Sequence, residues 1–125
     1  MRILAILLLC STAFAQLPDK PKPRVVDKKF IAVAAFSVGT AVLDVHSTRY
    51  CFNNNPRCYE GQGIFAGSRP STAKLTAVNA PMQAGILVGT YYLKRRGFKG
   101  WWLLPVGFGA ARIYIASVNY RNAGR

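Results

Sequence analysis

Three apolar runs of about twenty residues, the first preceded and the last two separated by short basic blocks, constrain this chain more than anything else in it. The first is Phe30 to Tyr50, opening FIAVAAFSVGTAV. The second is Thr72 to Leu93, with LTAVNAPMQAGILVGTYYL at its centre. The third is Trp101 to Tyr120, WWLLPVGFGAARIYIASVNY. Each approaches the ~20 residues that a membrane-spanning helix needs. Each carries about one formal charge, and none shows the charged face or the i,i+4 ion pairs of a soluble amphipathic helix. Lipid-facing strands are disfavoured, because they alternate over about ten residues. The expected fold is therefore all-α, a three-helix transmembrane bundle.

The charge distribution fits that expectation. Lys and Arg number 17 against 4 acidic residues, a net +13, while hydrophobic residues make up 51%. The cations sit in blocks, KPKPRVVDKK at 20–29 and KRRGFK at 94–99, as at the flanks of membrane spans. A nucleic-acid binder would spread them along a helix or strand among exposed aromatics, so no nucleic-acid partner is expected. The expected partner is the lipid bilayer, with this protein itself or another membrane protein against its helices. No cofactor is implied.

Residues 1–15 read as a cleavable signal peptide. Arg2 precedes the apolar core ILAILLLC, and Ala13-Phe14-Ala15 is a small-x-small cleavage site before Gln16. Cleavage would remove Cys10 and leave Cys51 and Cys58. Residues 16–29 form a basic, Pro-rich linker with nothing to bury. The membrane bundle then occupies 30–125, with a loop at 51–71. The expected location is the bacterial inner membrane, multi-pass.

Orientation is contested within the sequence. A cleaved signal places residue 16 outside, which puts the 51–71 loop inside. The positive-inside rule points the other way: residues 18–29 and 94–99 hold nine cations, and the opposite side holds six, Arg49, Arg57, Arg69, Lys74, Arg121 and Arg125.

Polar residues inside the runs fall into stripes at helical spacing. Ser37, Thr40, Asp44 and Thr48 share one face; so do Thr76, Asn79, Gln83 and Thr90; so do Arg112 and Asn119. Lipid offers no hydrogen bonds, so the stripes should face one another. Taking Tyr50, Ser71 and Tyr120 as one boundary, Asp44 lies roughly 9 Å inside, and Asn79 and Arg112 about 12 Å. The expectation is an intramembrane cluster of Asp44, Asn79 and Arg112, with an Asp44–Arg112 ion pair that orients the bundle. Small-residue pairs Ala35/Gly39, Gly85/Gly89 and Gly107/Ala111 should let the helices approach closely. Pro81 should kink or loosen the second helix.

The loop offers His46, Cys51, Cys58 and Glu60. Six residues between the cysteines do not fit zinc or thioredoxin spacing. A Cys51–Cys58 disulfide is expected if the loop meets an oxidising compartment, and two free thiols otherwise. No metal centre is expected. His46 and Glu60 remain a candidate loop site, and with Asp44 they could supply acid–base or metal groups to a membrane-embedded enzyme or transporter component. No phosphate-binding glycine loop and no nucleophile elbow is present.

From Asp44 to Glu60 the chain resembles small uncharacterised bacterial membrane proteins. In these, a helix ends in an Asp-x-x-Ser-Thr pattern and the next loop carries a Glu near an Asn-Pro. The matching residues are Asp44, Ser47-Thr48 and Glu60, after which Gly-Gln-Gly stands where the Asn-Pro would be. The resemblance implies a membrane location and a role for Asp44 and Glu60.

Overall fold

A computed structural model describes residues 24–59 and 69–125. The signal segment, most of the basic linker and Glu60 lie outside the described residues. Among them the chain is all-helical, with three helices and no strand: α1 (Lys28–Asn54), α2 (Thr72–Arg95) and α3 (Leu103–Ala123). At about 1.5 Å per residue these are roughly 40, 36 and 31 Å long. The expected segments are found, but α1 runs four residues past Tyr50 and α3 starts after the Trp101-Trp102 pair.

Local chemistry sets the ends. Asp27 caps α1 by accepting from the Phe30 N–H at 2.8 Å. Ser71, just after Pro70, caps α2 by accepting from the Lys74 N–H at 3.3 Å. Each satisfies one donor that the first turn leaves orphaned. Helix α2 closes on a Schellman turn: Gly97 N–H donates to the Lys94 carbonyl at 2.9 Å and Phe98 N–H to the Leu93 carbonyl at 3.0 Å. Gly97 sits at φ +76°, where a side chain would be strained. The helix runs unbroken through Pro81, which lies on its exposed side.

Helices α1 and α3 lie parallel and form the main packing pair, with α2 running back more loosely against both. The tightest approach is Gly109 of α3 under the Phe36 ring of α1, where a Cβ would come within 2.3 Å of a ring carbon. The expected small-residue contacts are mostly not there. A Cβ added at Gly39, Gly85 or Gly107 meets nothing within 4 Å, and only Gly89 of those pairs touches another helix, at Leu104. Ala35, Gly39, Gly107 and Ala111 are all exposed. Residues four apart on a helix share a face, and in these helices the bundle-facing stripe is taken by polar side chains instead.

The interior mixes apolar residues (Ala41, Cys51, Phe52, Leu75, Ile86 and Ala116) with many polar ones, while large apolar side chains also lie outside. Ser37, Thr40, Ser47, Thr48, Gln83, Thr90 and Arg112 are buried, while Ile31, Val42, Val88, Leu103, Ile113 and Ile115 are exposed. Among the described residues α1 is the one helix both long and apolar enough to cross a membrane by length and composition. Helices α2 and α3 match it in length but are interrupted by Asn79 and Gln83, and by Arg112 and Asn119.

Candidate functional site

The polar residues of the interior are organised in levels along the bundle. At mid-height, Arg112 of α3 is 3% exposed and Ser37 of α1 is fully buried. Arg112 Nη1 donates to Gln83 Oε1 of α2 at 2.6 Å and to the Ser37 carbonyl at 3.4 Å. Gln83 Nε2 donates to Ser37 Oγ at 3.0 Å, and Thr40 Oγ1 donates to the Ser37 carbonyl at 2.9 Å. All three helices are thus tied by one network. Arg112 Nη2 is buried without a hydrogen-bond partner among the described residues.

This corrects the expected ion pair. Asp44 acts on Arg112 through space but does not ligate it; Gln83 does. Helical side chains lean toward their own N-terminus. Because α3 is parallel to α1, the long Arg112 side chain leans down the bundle to the level of Ser37. Asp44 lies seven residues further along α1, roughly 10 Å away along the axis. Asp44 instead falls level with Ala116, between the Arg112 network and the next one.

That next level is Asn119 of α3, whose Nδ2 donates to Ser47 Oγ at 3.2 Å and Thr48 Oγ1 at 3.1 Å. Ser47 in turn donates to the Asp44 carbonyl at 3.0 Å. Asp44 and Asn79 are both half-buried and line one cavity of about 850 Å³, together with Thr48, Asn119 and Asn122. Asn79 spends its amide N–H on the Leu75 carbonyl of its own helix, at 3.1 Å.

The rim of this cavity is the Cys51–Cys58 disulfide, with Cα atoms 5.9 Å apart. Around it the chain is tied down by side chains: Asn55 Nδ2 donates to the Asn122 carbonyl at 2.8 Å, Arg49 to the Pro70 carbonyl at 3.3 Å, and Arg69 to the Phe52 carbonyl. Arg69 also stands over the Phe52 ring. His46 is separate from Asp44. It lies on the outer face, with Nδ1 2.8 Å from the Tyr120 hydroxyl and its ring stacked near Tyr50. Two residues along a helix is about 200° of rotation, which sends the two side chains to opposite faces. Among the described residues no group of three His, Cys, Asp or Glu could hold a metal ion.

At the other end, Lys94 pairs with Asp27 and lies over the Trp101 and Phe30 rings, 4.6 and 5.6 Å from their centroids. Phe30 in turn packs edge-on to Tyr91 and near Trp101. The Lys94 ammonium, followed by the Phe30 N–H, holds the Asp27 carboxyl below the usual carboxylate range.

The stripe positions Ser37, Thr40, Thr48, Gln83, Thr90 and Arg112 are buried as their spacing implied; Thr76 is exposed. Ser47, named in the Asp-x-x-Ser-Thr pattern but not in the polar stripe, is fully buried. Its signal was available: three residues beyond Asp44, it faces α3 beside Thr48. No family model, curated protein or solved structure matches the chain.

Proposed function

We propose that the chain is a small integral membrane protein with three spans, held in the bacterial inner membrane, and that it works through helix contacts rather than catalysis. The observation carrying this reading is the placement of polar and apolar groups, with Ser37, Gln83 and Arg112 inside and Ile31, Val42, Leu103, Ile113 and Ile115 outside. In water that arrangement would leave apolar surface exposed on all three helices; in lipid it is the stable one. The outward-opening Gly39, Gly85 and Gly107 support contact with a further helix, from a second copy or from another membrane protein. An enzyme built on Asp44 and His46 gains no support, since the two lie on opposite sides of α1.

The disulfide and the positive-inside count favour one orientation: the Cys51–Cys58 end in the oxidising compartment and the Lys94–Lys99 turn in the cytoplasm. A cleaved signal would require the reverse, because Gln16 would then lie outside.

Alkaline carbonate extraction tests the membrane assignment: the full chain should stay in the pellet, and release into the supernatant overturns it. Thiol labelling of intact cells tests orientation. Cys51 and Cys58 should react with an impermeant reagent only after reduction. A mature N-terminus at Gln16, with cysteines that label only in lysed cells, would reverse the orientation.

A further inference from the structure

The end of the bundle remote from the disulfide carries cations that the fold does not use. The side chains of Arg24, Lys28, Lys29, Arg95, Arg96 and Lys99 make no hydrogen bond or ion pair among the described residues. Among the described residues Lys94 alone is committed, to Asp27, the one carboxylate of that end. Three of these cations, Arg24, Arg95 and Lys99, converge with the Asp27–Lys94 pair, Phe98 and Trp101 on a cleft of about 490 Å³.

The backbone there is already satisfied. The Schellman turn consumes the Leu93 and Lys94 carbonyls, and Arg96 N–H takes the Tyr92 carbonyl at 3.0 Å. An incoming anion therefore meets side-chain cations rather than bare helix-end carbonyls, which would repel it. The surface beside the cleft is apolar and open: Phe98, which lines it, and Leu103, which meets Phe98 over Gly100, are each more than half exposed. A ligand that fits must be anionic at one end and apolar at the other. Nucleic acid or free phosphate would leave the apolar flanks uncovered.

We propose that this cleft binds the phosphodiester headgroup of an anionic phospholipid, with the acyl chains lying along Phe98 and Leu103. The inference rests on the membrane reading above and adds a specific lipid site to it. Arg24, Arg95 and Lys99 hold the phosphate, and Trp101 seats the glycerol region at the interface. Lys94 keeps the α1 and α2 ends together through Asp27 and lends its remaining charge to the cleft.

Of the two tryptophans of the chain, Trp101 lines the cleft and Trp102 follows it in sequence, so tryptophan fluorescence reports on the site. The full chain is reconstituted in phosphatidylcholine vesicles containing brominated phosphatidylglycerol or brominated phosphatidylcholine. Brominated phosphatidylglycerol should quench at a much lower mole fraction. Arg24→Gln/Arg95→Gln/Lys99→Gln should lose that preference, by about fivefold per cation and on the order of a hundredfold together. Arg49→Gln/Arg121→Gln/Arg125→Gln, the same charge change at the opposite end, should keep it.

Equal quenching by the two lipids, or equal loss in the two triple variants, overturns the site while leaving the membrane reading intact. Relief of quenching by soluble glycerol 3-phosphate at matched concentration also overturns it, because the cleft would then be a free-phosphate site. Absence of quenching by either lipid overturns the membrane reading together with the site.

Discussion

The two ends of the bundle solve the same problem in opposite ways. Both are rich in cations, and both must close a helix connection. At the disulfide end the chain is fastened inward: Cys51 to Cys58, Asn55 to the Asn122 carbonyl, and Arg49 and Arg69 to the carbonyls of Pro70 and Phe52. At the other end, among the described residues, one ion pair, Asp27–Lys94, and a ring of aromatics hold the helices, while the remaining cations are exposed. Two cations, Arg49 and Arg69, thus fasten the fold at one end, and Lys94 does so at the other. Between the ends, the Ser37–Gln83–Arg112 network belongs to both.

The largest effect should come from that shared middle. Gln83→Leu removes the acceptor of a buried guanidinium and should cost about 3 kcal/mol. Unfolding in mixed micelles would measure it, and hydrogen exchange should show both ends loosening together. Loosening confined to one end would mean that the middle does not couple them.

Cys58→Ser should cost about 2–3 kcal/mol, the loop-closure entropy of a short disulfide loop. Its effect on exchange should stay at the disulfide end, leaving Lys94 and Trp101 undisturbed. Gly109→Ala should cost about 1–3 kcal/mol by pressing on Phe36, whereas Gly107→Ala, with open space around it, should be close to neutral in the monomer. Equal costs would place the α1–α3 contact elsewhere.

At the aromatic end, Gly97→Ala should cost about 1 kcal/mol by forcing a side chain into positive φ. The smallest effect is that of pH. The Asp27 carboxyl is held below its ordinary value by Lys94 and the Phe30 N–H. Its contribution is present above the unfolded carboxylate value, about 3.9, and is lost as pH falls through the lower folded value. Acidification should therefore loosen the Asp27–Lys94 end, seen in Trp101 fluorescence, and Asp27→Asn should abolish the response. Raising the pH from 5 to 8 should do nothing there.

Much of the architecture is written in the spacing of residues. The three helices and the buried stripe from Ser37 to Thr48 follow from apolar length and helical periodicity. The partner of Arg112 does not, because counting rise per residue locates Cα atoms and not the end of a long side chain. Arg112 leans toward its own N-terminus and meets Gln83, so a charge-to-charge match by depth selected Asp44 instead. The outward glycines were misassigned for a related reason. Small-xxx-small spacing says that close approach is possible, but not which side of the helix uses it. His46 was grouped with Asp44 by proximity in sequence, which a helix converts into separation in space.

The Gln83–Arg112 bond bears on how such a chain would enter a bilayer. Helix α1 meets the length and composition threshold unaided; α3, with a guanidinium at its midpoint, does not. On the proposed reading α3 cannot partition into lipid by itself without desolvating that charge, at several kcal/mol. Its compensating amide sits on the preceding helix, so the translocon should release α2 and α3 as one hairpin, after α1 has already provided Ser37 as their dock.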